Sequence, residues 1–108
     1  MSDVSRRTEL RPVTLITGAS AGIGVELARV FARNGHRLAL VARREDRLRA
    51  LADEIAATSS RRPIVIVDDL GAAGAAARIG AALTEHGAEP QYVVNNAGFG
   101  LVGPAIVR

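Results

Sequence analysis

The chain has 108 residues, enough for one domain with a modest core. Its 14 basic residues, all arginine, outnumber 11 acidic ones, and it contains no cysteine. The lack of cysteine excludes a disulfide framework and a thiolate metal site, and fits a reducing compartment. The arginines are dispersed rather than gathered on one face with aromatic residues, so the composition argues against a nucleic-acid partner.

The ends of the chain and its histidines exclude further classes. The segment from Met1 to Arg7 lacks the apolar core of a signal peptide, and no apolar run approaches the ~18 residues that span a bilayer. We therefore predict a cytoplasmic protein without a membrane partner, with residues 1–11 as a flexible arm. His36 and His86 belong to no cluster of ligands, so no metal site is predicted.

Strand-like and helix-like segments alternate from Pro12 onward. Four short apolar runs predict buried strands, at Val13–Thr17, Arg37–Ala42, Ile64–Val67 and Tyr92–Asn95. Three amphipathic segments lie between them. Their predicted inward residues are Ile23, Leu27, Val30 and Phe31 in the first, Leu48, Leu51, Ala52 and Ile55 in the second, and Ala75, Ile79, Ala82 and Leu83 in the third. Phe99–Arg108 is predicted to be a loop.

This order of elements predicts an α/β fold. Short connections between strands and helices require a parallel sheet with right-handed crossovers and helices on both faces. In the doubly wound pattern the four strands lie in the order 3-2-1-4, and a crevice forms at their carboxyl ends between strands 1 and 4. The fourth strand would then be an unpaired edge.

A glycine-rich segment, Thr17–Gly24, follows the first strand and leads into the first helix. Gly18 permits a sharp exit from the strand, Gly22 lets the backbone approach a pyrophosphate, and Gly24 allows the helix to pack closely. The start of the helix then offers unpaired N–H groups and a positive dipole end to phosphates. The glycine spacing G-x-x-x-G-x-G differs from the common dinucleotide-binding fingerprint G-x-G-x-x-G. The prediction of dinucleotide binding therefore also depends on the flanking strand and helix.

The second strand is followed directly by Arg43 and Arg44, at the place where a carboxylate usually holds a free ribose 2′-hydroxyl. A guanidinium can instead pair with a 2′-phosphate, so the sequence favours NADP over NAD. The alternative is that both arginines are simply a solvated helix start. An arginine is mildly unfavourable there, which favours a bound anion.

Polar residues also follow strands 3 and 4. Asp69, next to Leu70, could accept a hydrogen bond from an adenine amino group, and the small Ala97 and Gly98 leave room for the adenosine ribose. Asn96 is open to two interpretations, as a ligand contact or as a structural amide that bridges strands.

The two motifs, Thr17–Gly24 and Asn95–Gly98, and the order of elements between them resemble the amino-terminal half of a short-chain dehydrogenase/reductase. The resemblance covers about residues 12–108 and implies a Rossmann-type domain that is incomplete relative to the family. It implies cofactor contacts from a set of nine residues: Gly18, Ser20, Ile23, Arg43, Asp69, Leu70, Asn96, Ala97 and Gly98. Ala21 departs from the family, because members that prefer NADP often carry a basic residue there.

The family resemblance also implies hydride transfer between a nicotinamide and a small carbonyl or alcohol. Its Ser and Tyr-x-x-x-Lys residues would lie after the second motif, and this chain has no lysine. We therefore predict no catalytic residue here and no activity of the 108-residue chain alone; Tyr92 is given a packing role. Substrate binding would need the missing half, and a homo-oligomer would belong to a full-length form.

Three hypotheses follow. The first is an NADP(H)-dependent oxidoreductase of which this chain is the cofactor-binding half. The second is a non-catalytic dinucleotide-binding module that works alone or with a partner. The third is a truncated product without a function.

Overall fold

Strands and helices alternate along the chain in a computed structural model, which describes residues 10–20, 22–59 and 61–96 and the backbone of 106–107. The strands are β1 (Arg11–Thr17), β2 (Leu38–Ala42), β3 (Ile64–Val67), β4 (Ala88–Asn95) and β5 (Ile106–Val107). The helices are α1 (Gly22–Arg33), α2 (Glu45–Ser59) and α3 (Ala75–Glu85). The predicted arm, residues 1–11, lies almost entirely outside the described residues, and β1 begins at Arg11.

The strands form one parallel sheet in the order β3-β2-β1-β4-β5. The predicted order 3-2-1-4 is therefore confirmed. The prediction that Phe99–Arg108 is entirely loop is wrong, because Ile106 and Val107 pair with Val93 and Val94. The expectation that β4 is an unpaired edge is wrong for the same reason. A run of two residues is too short to show the alternating pattern of a strand, so the sequence does not reveal β5. The backbone groups of Ile106 and Val107 nevertheless satisfy part of the otherwise open edge of β4.

The two faces of the sheet carry different helices. One core cluster joins α1 and α2 to the sheet through residues such as Ile16, Leu40 and Leu48. The other joins α3 to the opposite face through Leu15, Val41 and Ile79. The predicted inward residues of α2 are buried, and those of α3 are buried or half-buried. No described helix is long and apolar enough to cross a membrane.

The predicted inward stripe of α1 is wrong in part. Ile23 is 70% exposed and Val30 is 41% exposed, while the buried positions are Gly24, Ala28 and Ala32. The helix turns its small residues toward the sheet because it lies very close to the end of β1. Leu27 and Phe31 of the predicted stripe are half-buried against the core. The large apolar residues carry the visible helical period, so the sequence pattern points to only part of the buried face.

Strand β4 begins earlier than predicted and is irregular. It starts at Ala88 rather than Tyr92, and Pro90 lies within it. Val13 pairs with Pro90 and Thr14 with Tyr92, so Gln91 is an extra residue opposite β1. Such a bulge bends the strand and re-aims side chains.

Candidate dinucleotide-binding site

The carboxyl ends of four strands lie side by side. Thr17 is in register with both Val41 of β2 and Asn95 of β4, and Ala42 is in register with Val67 of β3. The segments that follow these strands therefore leave the sheet at one edge, called here the carboxyl edge. The predicted motifs meet there, at the point where the strand order reverses between β1 and β4.

Two glycines shape the turn from β1 into α1. Gly18 has φ of 66° and Gly22 has φ of 59°, both in the left-handed region that residues with a Cβ adopt rarely. The amide of Ala19 donates to the carbonyl of Val41 at 3.2 Å, which fixes the turn against β2. The backbone path of the turn is therefore set by glycine and by one hydrogen bond to the neighbouring strand.

Gly24 is required by contact rather than by its backbone angles. A Cβ at this position would lie 2.2 Å from the Gly18 carbonyl oxygen and 2.9 Å from Nδ2 of Asn96. Both distances are shorter than real Cβ contacts allow. The first turn of α1 is thus pressed onto the turn that precedes it, as the sequence predicts for this third glycine.

Asn96 joins the two motifs directly. Its Nδ2 donates to the Gly18 carbonyl oxygen at 3.2 Å, across 78 positions of sequence. Next to it, the Thr17 hydroxyl donates to Oδ1 of Asn95 at 3.3 Å. Of the two interpretations of Asn96, the structural amide is the one that has a contact, and a contact with a ligand stays a prediction.

The start of α1 has the properties that a phosphate group needs. Its first turn, which is fully described, carries no acidic residue. A Cβ at Gly22 would meet nothing within 4 Å, so the backbone there faces free space. The exposed amide groups and the positive end of the helix can therefore face an anion without a competing carboxylate. Ser20 is half-buried beside this helix start, and Ile23 is exposed on its first turn.

Arg43 and Arg44 follow β2 at the same edge, and both are exposed. Arg44 lies 4.0 Å from Asp46, measured from Nε to Oδ1, which is a weak surface ion pair. Arg43 makes no ion pair with any other residue in the described part of the chain. Its guanidinium is therefore available to an anion at the end of β2.

The segment after β3 is held by an ion pair that the sequence analysis missed. Arg78 of α3 donates to both carboxylate oxygens of Asp68, from Nε at 2.9 Å and from Nη2 at 2.8 Å. These hydrogen bonds hold the pKa of Asp68 below its usual value. The two residues are ten positions apart across a loop, so only the charges themselves were a signal.

Asp69 is exposed, and its Oδ1 accepts a hydrogen bond from the amide of Gly71 at 2.9 Å. Oδ2 of Asp69 takes no part in that hydrogen bond. Leu70, beside it, is half-buried against the core. Ala97 and Gly98 lie outside the described residues. Within the described residues, no group of acidic, His or Cys side chains could hold a metal ion.

The fold and this edge define a doubly wound α/β protein with a glycine turn at its switch point. The family model of the short chain dehydrogenase matches residues 12–106. The chain belongs to the short-chain dehydrogenase/reductase family, whose members bind NAD(P).

Relatives and solved structures agree with this assignment. An 11-beta-hydroxysteroid dehydrogenase-like 3 protein of Arabidopsis thaliana is 39% identical over 88 residues, covering 82% of this chain and 28% of the relative. An alcohol dehydrogenase of Thermococcus sibiricus, solved with 5-hydroxy-NADP, is 34% identical with a TM-score of 0.72, covering 78% of this chain and 36% of that one.

An L-sorbose reductase of Gluconobacter frateurii, solved with NADPH and L-sorbose, is 29% identical with a TM-score of 0.75. The match covers 85% of this chain and 36% of that reductase. The chain thus spans between a quarter and two fifths of the length of the proteins compared here.

Proposed function

We propose that this chain is the cofactor-binding half of an NADP(H)-dependent oxidoreductase of the short-chain type. The observation that carries the proposal is the hydrogen bond from Asn96 to the Gly18 carbonyl. It joins the two motifs at one crevice, beside a helix start that carries no acidic residue. The dinucleotide-binding domain is proposed to comprise residues 11–108, because Arg11 belongs to β1, and residues 1–10 are proposed to form an arm outside it.

In this proposal the pyrophosphate lies against the turn and the start of α1. Gly18, Gly22 and Gly24 shape that surface, while Ser20 and Ile23 border the bound dinucleotide. Asp69 and Leu70 border the adenine, with Asn96 at the adenosine ribose. Ala97 and Gly98 are assigned to the ribose by family membership alone.

NADP is proposed over NAD because of the charges after β2. Arg43 is exposed and without a carboxylate partner among the described residues, so a 2′-phosphate can pair with it bidentately. Arg44 is the next residue and is also exposed, so it is proposed to contact the same phosphate group. Two of the solved structures compared above contain NADP-type cofactors, which supports the same choice.

Catalysis is assigned to residues outside this chain. Bound NADPH supplies a hydride to a carbonyl carbon, and this reaction needs a nearby proton donor. The chain has no lysine to lower the pKa of a tyrosine, so we assign it no catalytic residue. The 108-residue chain alone is therefore proposed to be inactive, and the carbonyl or alcohol substrate, a cytoplasmic location and a homo-oligomer belong to a full-length form.

Calorimetric titration of the 108-residue chain with NADP and with NAD tests the binding proposal. We expect saturable binding of both and tighter binding of NADP. Absence of binding by a folded chain would contradict the proposal. A parallel assay of NADPH oxidation with a panel of small ketones should show no turnover, and measurable reduction would contradict the assignment of catalysis elsewhere.

A second candidate is a self-contained, non-catalytic dinucleotide-binding module. It is favoured by the pairing of β5 with β4, which gives the sheet a fifth strand from within the same chain. The same titration separates this candidate from a truncated product without function. The module predicts a monodisperse, cooperatively unfolding protein that binds NADP, whereas a functionless fragment predicts neither property.

A further inference from the structure

A polar cavity lies at the end of the sheet opposite the carboxyl edge, called here the amino edge. It has a volume of about 390 Å³ and lies where β1, β2 and β3 begin. Six of its lining residues are polar and carry the argument: Arg11, Asn34, His36, Arg37, Arg61 and Gln91. None of these belongs to the dinucleotide site described above.

The cavity concentrates positive charge. Arg11 opens β1, Arg37 precedes β2, and Arg61 lies in the loop before β3, so three separate segments each bring one guanidinium. None of the described lining residues carries a carboxylate. Parallel strands bring these segments together in space although they are far apart in sequence.

Several other arginines among the described residues are paired with carboxylates. Arg62, the neighbour of Arg61, contacts Asp53, and Arg29 donates to Glu54 at 2.7 Å. The groove between α1 and α2, about 540 Å³ in volume, contains Arg29 together with that carboxylate. The amino-edge cavity differs because Arg11, Arg37 and Arg61 make no ion pair with any residue in the described part of the chain, so their charge is available to a bound anion.

One of these arginines has a buried donor without a partner. Nη1 of Arg37 is enclosed and makes no hydrogen bond within the described part of the chain. A buried donor without a partner is costly, and a charged one more so. Nη1 itself has no accessible surface, so an anion in the cavity would bind the other N–H groups of this guanidinium, through short charge-assisted hydrogen bonds.

A histidine and an amide side chain complete the cavity. His36 is fixed by a hydrogen bond of 2.9 Å between its Nδ1 and the Thr14 hydroxyl, and by edge-to-face contact with Phe31. Gln91 is the extra residue of the β4 bulge and lines the same cavity. The bulge therefore brings an amide, with donor and acceptor atoms, to the group of guanidiniums.

We propose that the amino-edge cavity binds a small oxyanion with the chemistry of a phosphate group. A tetrahedral dianion suits guanidiniums that converge from three segments, and the cavity is too small for a long polyanion. Arg37 is the central ligand, Arg11 and Arg61 complete the charge, and Gln91 supplies a neutral hydrogen bond. The source is inorganic phosphate or the phosphate of a small ester.

The test is a titration of the isotope-labelled 108-residue chain with inorganic phosphate, followed by two-dimensional NMR. Two sets of amides are read separately: Gly35, Arg37 and Gln91 at the amino edge, and Gly18 and Ser20 at the carboxyl edge. We expect saturable shifts in the first set. Because the two sets are independent, failure of this site and failure of the dinucleotide site are distinguishable.

Matched variants assign the effect to the cavity. Arg37→Gln should weaken phosphate binding at the amino edge by about tenfold or more, since a hydrogen bond to a charged group is lost. Arg61→Gln, in an exposed loop, should also weaken phosphate binding at the amino edge. This variant replaces Arg37→Gln in the test if Arg37→Gln fails to fold. Arg47→Gln removes the same charge from an exposed position of α2 and should leave the affinity unchanged.

Three results would overturn the proposal: no saturable shift at the amino edge, shifts confined to Gly18 and Ser20, or an equal loss of affinity in Arg47→Gln. A comparison of glycerol 3-phosphate with inorganic phosphate identifies the source. Tighter binding of the ester would support a phosphorylated metabolite, and equal or weaker binding would support the free ion.

Discussion

The two edges of the sheet are both proposed to bind anions, but they are built differently. The carboxyl edge uses backbone groups, with a glycine turn that Asn96 and Ala19 fix in place. The amino edge uses side chains, with three arginines around a cavity and one buried guanidinium nitrogen without a partner. Backbone construction leaves a local signature in the sequence, whereas convergence of side chains becomes visible only in the fold.

The largest effect is expected from a substitution that disrupts the carboxyl edge and leaves the amino edge unchanged. Gly24→Ala places a Cβ 2.2 Å from the Gly18 carbonyl oxygen, so the turn or the helix must move. We expect a loss of stability of about 2–3 kcal/mol, as for other overpacked sites. NADP affinity should fall with it, while phosphate binding at the amino edge should persist in the folded fraction.

Gly80→Ala is the matched control for that variant. Gly80 lies within α3, and a Cβ there would meet nothing within 4 Å. The substitution should therefore stabilise the protein by about 0.5–1 kcal/mol, the usual gain at such a helix position. Chemical denaturation measures both variants, and equal effects would show that close packing at Gly24 is not what holds the turn.

Arg43→Gln removes one positive charge from the carboxyl edge and tests whether that charge selects NADP over NAD. If Arg43 pairs with a 2′-phosphate, NADP affinity should fall by about tenfold or more while NAD affinity changes little. Calorimetry with both dinucleotides measures the ratio. The control is again Arg47→Gln, and a parallel loss of NADP and NAD affinity in Arg43→Gln would count against a 2′-phosphate contact.

Asn96→Ala removes the hydrogen bond that joins the two motifs. Loss of this bond to the Gly18 carbonyl should cost about 1 kcal/mol of stability and also weaken NADP binding. Asn96→Asp should be worse, because a carboxylate would face a carbonyl oxygen. Denaturation curves of the two variants test this order, and a harmless Asn96→Asp would contradict the structural role.

The smallest expected effect concerns pH and the segment after β3. Arg78 lowers the pKa of Asp68 in the folded state, so the pair contributes stability above the unfolded pKa of about 4. That contribution is lost as the pH falls through the lower, folded pKa. Arg78→Gln should therefore lower the Tm at pH 7, and the difference from the original protein should shrink below about pH 4.

Thermal melts between pH 2.5 and pH 7 measure that prediction. Arg49→Gln, which removes an exposed pair with Glu45 within one helix, is the control and should have less effect on the Tm. If the Tm difference between Arg78→Gln and the original protein stays constant down to the lowest pH, the stabilisation by Arg78 does not depend on ionised Asp68, which would contradict the prediction.

Much of the carboxyl edge could be predicted from the sequence because its determinants are local. Gly18 and Gly24 act within a few residues of the turn they shape, and the strand order follows from the alternation of elements. The contact of Asn96 with Gly18 spans 78 positions, yet it could be anticipated as a structural amide because both motifs follow adjacent strands.

The remaining features depend on packing that the sequence pattern hides. The inward face of α1 is set by the close approach at Gly24, so small residues are buried and Ile23 is exposed. The two-residue β5 carries no period at all. The pairing of Arg78 with Asp68 and the convergence of Arg37 with Arg61 depend on loops that only the folded sheet brings together.

The central claim is that a dinucleotide binds at the carboxyl edge of the sheet. The most direct measurement is a titration of the labelled chain with NADP, read at individual amides by two-dimensional NMR. Saturable shifts at Gly18, Ser20, Ile23 and Arg43, with no change at Leu51 or Leu83 on the buried faces of α2 and α3, are the predicted result. A folded protein in which the amides of the turn do not respond to NADP would contradict the account.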